Sequence, residues 1–121
     1  MVWPTGCFNP DMQMSDVLTR YLDLAADQMK VTAGNLANVD TPGYKTQGMD
    51  FDAEFGRALH GQTSPPVLTD VEGLVARPDG NTVSLDKESM QMARTQMEFR
   101  MGVELLKRQF NHTMSAIHVD K

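Results

Sequence analysis

The chain has 121 residues, about one domain, with 40% apolar, 22% charged and 7% aromatic side chains. Eleven basic against sixteen acidic residues give a net charge of −5, which argues against a nucleic-acid binder, since such proteins present a basic face. The single cysteine, Cys7, rules out an intrachain disulfide and a cysteine metal cluster, and no apolar run approaches the roughly 20 residues of a membrane span.

The N-terminus lacks the basic start and apolar stretch of a secretory signal, so any route out of the cytoplasm is expected to proceed without a cleaved signal. Residues 1–14 read as a flexible extension. Helical periodicity begins at about Ser15 and continues to Asn38. Ser15 and Asp16 are candidate N-caps. Met14, Leu18, Tyr21 with Leu22, Ala25, Met29, Thr32 and Leu36 recur at spacings of three and four, an apolar stripe on one helical face. A helix over 15–38 is about 36 Å long. Thr41 precedes Pro42 and is therefore pushed out of the α region, which stops the helix. Pro42-Gly43 suits the centre of a type II turn, with Gly43 taking the positive φ.

The middle segment, residues 45–83, is turn-rich and acidic, with 3 basic and 6 acidic side chains. Phe51, Phe55, Ala58 and Leu59 predict a short helix over about 50–60. Residues 62–66 read as loop. Residues 67–69 and 74–77 read as short extended pieces. Pro78-Asp-Gly-Asn81 is a turn signal, and Thr82-Val83 resumes extended. This segment buries little and is expected to be mobile.

A second helix is predicted from Ser84–Asp86 to about Val119, roughly 51 Å. Asp86 and Glu88 suit its first turn, and Lys107 and Arg108 its C-terminal half. Phe99, Val103, Leu106, Phe110, Met114 and Ile117 form one apolar stripe. Met90, Ala93, Met97, Met101 and Leu105 form an adjoining one. Arg100–Glu104 and Glu104–Arg108 are candidate i,i+4 pairs. The expected fold is mainly α. Two long terminal helices, in units 15–44 and 84–121, form an antiparallel, coiled-coil-like pair joined by a short irregular, β-turn-rich middle. Leu18, Leu22, Ala25 and Met29 should pack against Phe99, Val103, Leu106, Phe110, Met114 and Ile117. One hairpin cannot hide both stripes of the second helix. Either the isolated chain is only partly folded, or the extra face packs on neighbouring molecules.

Nothing in the sequence has the form of a catalytic or cofactor site. His60, His112 and His118 include no i,i+4 pair, so no helical zinc site is expected. Cys7 has no base placed beside it. Gly34, Gly43 and Gly48 form no phosphate loop, and Ser64 and Ser115 have no nucleophile-elbow context. Neither enzymatic activity nor a cofactor is expected. The ten methionines fit either an adaptable binding surface or ordinary core filling.

Residues 33–44, Ala-Gly-Asn-Leu-Ala-Asn-Val-Asp-Thr-Pro-Gly-Tyr, are unusual. Asn35 and Asn38 are poor helix-interior residues placed just before the stop. Their amides can hydrogen-bond carbonyls of the ending helix or backbone of a neighbouring molecule. A plain helix end followed by a Pro-Gly turn is the simpler alternative.

This segment resembles the N-terminal signature of bacterial flagellar rod and hook proteins, close to A-x-N-[LI]-A-N-x-x-T-P-G-Y. The matching positions are Ala33, Asn35, Leu36, Ala37, Asn38, Thr41, Pro42, Gly43 and Tyr44. Residues 79–88 and the long helix that follows, with Phe99-Arg100 and 104–110, look like the flagellar basal-body rod proteins of the proximal rod. Ser84 stands where that family usually has an acidic residue. The resemblance implies a non-enzymatic structural subunit whose terminal helices pair in the inner layer of a helical tube that transmits torque and lines the export channel. Export through the flagellar type III machinery without signal cleavage, and location in the periplasmic rod of the basal body, are implied too. The implied partners are other rod subunits, the MS-ring/rod junction protein and the export gate, in a helical hetero-assembly. An open assembly needs two or more non-identical surfaces on each subunit, which accounts for the excess apolar face. The alternatives are a sister proximal-rod protein sharing the signature, and a helical adaptor or export chaperone.

Overall fold

A computed structural model describes residues 12–118. The expected N-terminal extension through residue 11, Cys7, and the expected helix end at Val119 lie outside the described residues. The elements in order are α1 (Met14–Ala37), β1 (Gln47–Met49), α2 (Phe51–Leu59), β2 (Leu68–Asp70) and α3 (Leu85–His118). The fold is mainly helical. Two long helices, of 24 and 34 residues, are joined by a short middle that contains a helix and two strands.

α1 begins one residue before the expected start. Its N-cap is Gln13 rather than Ser15 or Asp16. Asp16 contributes from the first turn, where its carboxylate accepts the Gln13 N–H at 3.2 Å. It thereby satisfies one donor at a helix end that the helix itself cannot pair.

The hairpin is antiparallel. Asn35, near the end of α1, bonds Glu88, near the start of α3, and Leu22 lies against Gly102. The covered positions of α1 are Tyr21, Ala25, Gln28, Thr32 and Asn35. On α3 they are Glu88, Met92, Thr95, Phe99, Gly102 and Leu106. Both sets step by alternating four and three residues, the 3.5-residue period of a coiled-coil seam. This seam is only partly the expected one. Leu18, Leu22 and Met29 are half-buried and Ala25 is fully buried, and Phe99, Val103 and Leu106 are half-buried. Phe110, Met114 and Ile117 are exposed within the chain. The reason is geometric. Counting back from Gly102 opposite Leu22, α1 starts opposite Phe110, so the last eight residues of α3, about 12 Å, run past it.

Small and polar residues dominate the covered seam. Thr32, Thr95, Asn35 and Asn81 are the largest fully buried side chains, whereas the buried apolar set is Leu24, Ala25, Ala58 and Val83. Gly102 leaves room for the close approach. A Cβ there would lie 2.8 Å from Leu22 Cδ2 and 3.4 Å from Tyr21 Cδ1.

The middle is more ordered in its hydrogen bonding than an irregular segment. β1 and β2 pair antiparallel, with Gln47 opposite Asp70 and Met49 opposite Leu68. Of the expected extended pieces, 67–69 overlaps β2, while 74–77 and 82–83 are not strands. α2 is capped at both ends. The Asp50 carboxylate accepts Ala53 N–H at 3.1 Å. At the other end Gly61, at φ +79°, closes a Schellman turn through Gly61 N–H to Ala58 O and Gln62 N–H to Arg57 O. Tyr21, Phe51 and Phe55 seat α2 on α1, with edge-on centroid distances of 5.4 and 5.8 Å from Tyr21. The buried Glu54 carboxylate ties α2 to the returning loop, pairing with Arg57 at 2.7 Å and accepting Val67 N–H at 3.1 Å.

Candidate functional site

The signature segment lies at the closed end of the hairpin, and most of its polar residues have an internal partner. Asn35 is the hub. Its side chain is only 2% exposed. Its Nδ2 donates to Gln47 O at 2.8 Å and to Glu88 Oε2 at 3.1 Å. Its Oδ1 accepts Gln47 N–H at 3.0 Å and Tyr44 O–H at 3.2 Å. One amide therefore joins the end of α1, the turn, β1 and the start of α3. All four of its capacities are used, as a buried amide requires.

Asn38 acts locally. Its Nδ2 donates to Gly34 O at 2.8 Å, and its Oδ1 accepts Thr41 Oγ1–H at 3.1 Å. Thr41 opens a turn closed by Tyr44 N–H to Thr41 O at 3.3 Å. Gly43 sits at its third position with φ +74°, the geometry of a type II turn.

Asn81 completes the site, and the signature does not contain it. It is fully buried. Its Nδ2 lies within 3.1 Å of the carbonyls of Asn38, Val39 and Thr41, and its Oδ1 accepts Val83 N–H at 2.8 Å. These carbonyls belong to the turns that follow α1, so Asn81 adds a bond to each and holds the turns together. Asn81 follows Gly80, whose φ of +86° ends the tight turn Arg77-Pro-Asp-Gly80, closed by Gly80 N–H to Arg77 O at 2.8 Å. The two glycine turns face each other: Gly43 N–H donates to Asp79 O at 2.9 Å, and a Cβ on Gly80 would lie 3.5 Å from Gly43 Cα. Arg77 also donates to Val39 O, and Lys45 Nζ reaches Gly80 O at 3.1 Å. The Asn81 role was within reach of the sequence. An Asp-Gly-Asn turn ahead of a helix is a conspicuous polar cluster, but its target carbonyls lie some 40 residues upstream.

Of the signature, Ala33 and Ala37 are exposed, Pro42 is exposed in the turn, and Leu36 is half-buried. The four polar or turn-forming residues Asn35, Asn38, Thr41 and Tyr44 converge, with Gly43 between them. The ion pairs on α3 differ from those expected. Glu104 pairs with Lys107 at 3.2 Å and Arg94 with Glu98 at 2.9 Å. Tyr21 has its phenol pKa raised by burial and by nearby Glu98, partly offset by Arg94. Among the described residues no cluster of three or more His, Cys, Asp or Glu is placed to hold a metal ion, and no helix is long and apolar enough to cross a membrane.

The second prominent feature is the outer side of α3. Met90, Met97, Met101, Leu105, Phe110, Met114 and Ile117 are all more than half exposed. An asparagine-locked turn with an open apolar helix face suits a building block that associates through that face.

Comparison with known proteins agrees. Residues 22–45, which span the turn and the helix before it, match the family described as "Flagella basal body rod protein". A flagellar basal body rod protein FlgB from Cereibacter sphaeroides is 30% identical over 112 residues, covering 79% of this chain and 87% of the relative. The chain belongs to the FlgB family of flagellar basal body rod proteins. FlgB proteins of Salmonella typhimurium and Escherichia coli are each 28% identical over 119 residues, covering 79% of this chain and 86% of theirs. Membership gives the chain a structural role in the flagellar basal-body rod, assembled with other rod components. The family is not known for catalysis.

Proposed function

We propose that this FlgB-family chain is a subunit of the proximal rod, the part of the tube nearest the MS ring and export gate. Its α1–α3 hairpin would form part of the tube's inner layer, beside the export channel, and carry torque. It would be exported by the flagellar type III machinery without signal cleavage and would act on the periplasmic side. Its direct neighbours would be other rod subunits, the MS-ring/rod junction protein and the export gate.

The observation that carries this reading is the exposed apolar length of α3, from Met90 to Ile117, which no part of the described chain covers. A soluble monomer keeps its apolar patches small, and contiguous larger ones mark sites of association. The hydrogen-bonded lock built on Asn35 and, separately, Asn81 supports the same reading. It stiffens the closed end, where torque would otherwise bend the hairpin.

The test is isolation of basal bodies from cells in which the only copy of this chain carries an epitope tag. The tag should be found at the base of the rod by immuno-electron microscopy, and deletion of the chain should abolish rods. A tag at the hook, or rods of normal form without the chain, would refute the proposal.

A further inference from the structure

We propose that the outer seam of α3 docks antiparallel onto the outer side of α1 in a second copy of this chain, with Arg108 over Asp23, Leu105 over Ala26, Met97 over Ala33 and Arg94 beside Asp40. This presupposes the rod role above and adds the identity and register of one contact.

α3 carries a second 3.5-residue repeat on the side away from its own α1. Lys87, Met90, Arg94, Met97, Met101, Leu105 and Arg108 are all exposed and step by 3, 4, 3, 4, 4 and 3. Three of the seven are cations and none is an acid. Such a repeat is a coiled-coil seam that lacks its partner helix. From Lys87 to Arg108 it spans about 31 Å, so its partner is a helix of several turns.

Among the described residues only α1 and α3 are helices of that order of length. Pairing α3 with another α3 would set cations against cations. α1 offers the complement. Asp16, Thr19, Asp23, Ala26, Lys30, Ala33 and Ala37 lie on its side away from α3, step by 3 and 4 throughout, and are exposed except for the half-buried Ala26. This seam carries two carboxylates and three alanines, and large methionine knobs fit against small residues. Its one cation, Lys30, is paired with Asp27 at 2.9 Å, as Arg94 on the α3 seam is with Glu98 at 2.9 Å.

Direction and register follow from simple constraints. Copies stacked in one orientation present a neighbour's α1 antiparallel to α3, because the two helices are antiparallel within each copy. Setting Arg108 on Asp23 then places Leu105 on Ala26, Met101 on the Lys30 stem and Met97 on Ala33. Arg94 falls at the C-terminus of α1, beside Ala37 and exposed Asp40. The last turn of α1 carries no basic residue, and Arg77, which donates to Val39 O, is the cation already at that end, where the helix dipole favours a second one. One surface meets a different surface, so the contact is heterologous and does not close on itself.

Disulfide trapping in assembled basal bodies tests the pairing. A chain with Cys7→Ser, Leu105→Cys and Ala26→Cys should give, on mild oxidation, a ladder of dimers and higher multiples. Either new cysteine alone, or Leu105→Cys with Asp52→Cys, should leave at least tenfold less cross-linked material. A second measurement uses charge. Arg108→Glu should lower the yield of rods several-fold, and adding Asp23→Arg in the same chain should restore it. A ladder with charge-swap rescue supports the pairing. Cross-link-free chains inside normal rods overturn the pairing and leave the rod role standing. Absence of the chain from rods overturns both.

Discussion

At the scale of single residues, the closed end of the hairpin depends on side chains that cannot be exchanged for close relatives. Asn35 donates twice and accepts twice. Asn35→Leu would leave the Gln47 N–H and carbonyl, the Tyr44 hydroxyl and the Glu88 carboxylate without their partner, at about 1–3 kcal/mol for each group left buried and unpaired. Asn35→Asp is the sharper test. It keeps the acceptor but turns the donor into an oxygen facing Gln47 O and Glu88 Oε2, so it should destabilise about as much as leucine in urea unfolding. An Asp variant of wild-type stability would show that the two donated bonds contribute nothing. Gly43 is bound by backbone conformation instead. At φ +74°, Gly43→Val should cost about 1–3 kcal/mol and impair motility. Lys45→Ala removes one exposed bond to Gly80 O and should alter stability by less than about 0.5 kcal/mol. Thermal melts of the two variants would rank them.

At the scale of elements, α1 and α3 meet through a gap that a single missing methyl opens. Gly102→Ala gains helix propensity of about 1 kcal/mol, but its Cβ meets the tip of Leu22 at 2.8 Å. A rotation of that tip relieves the contact, so the two effects should nearly cancel. Gly102→Leu places several atoms where Leu22 and Tyr21 already lie and should cost about 1–3 kcal/mol through overpacking. Equal midpoints for glycine and leucine at 102 would mean that the seam is looser than described. The buried groups are also unevenly spread. Thr32, Asn35, Asn81 and Thr95 are fully buried near the closed end, while α3 is exposed throughout 110–118. Amide hydrogen exchange on the free chain should therefore be slowest over 25–35 and 88–102 and fast beyond 107, because local opening follows the density of buried contacts. Uniform protection to residue 118 would contradict this.

At the scale of the whole molecule, the proposed rod role predicts that export and assembly depend on the hairpin differently. Leu106 is half-buried against α1, and Phe110 is 56% exposed in the single chain. In a rod both would be covered. Leu106→Asp/Phe110→Asp forfeits roughly 1.5–3 kcal/mol of burial at each site and adds buried, unpaired carboxylates. If export handles an unfolded chain, as the proposed route requires, secretion should be normal while rods fail to form. The amount of protein outside the cytoplasm and the rods in isolated basal bodies report on the two steps separately. Normal rods would show that this stretch is not an interface, and retention inside the cell would give the helix a role in export.

Much of this architecture could be read before folding. α1 begins within one residue of its expected start, and the turn at 41–44 has the expected type, because apolar periodicity and Pro-Gly chemistry act over a few neighbouring residues. Asn38 satisfies the carbonyl of Gly34 for the same local reason. What needed the folded chain was every pairing between distant segments. β1 finds β2, Asn81 finds carbonyls 40 residues away, and Asn35 finds Glu88. The inner face of α3 belongs to this second group. Apolar spacing alone pointed to Phe110, Met114 and Ile117, which are exposed, yet the covered seam runs through Glu88, Thr95 and Gly102. Periodicity registers hydrophobic residues but not polar ones that become buried by bonding to each other, nor a glycine whose value is the room it leaves for Leu22. Those positions acquire their meaning only when the opposing helix is in place.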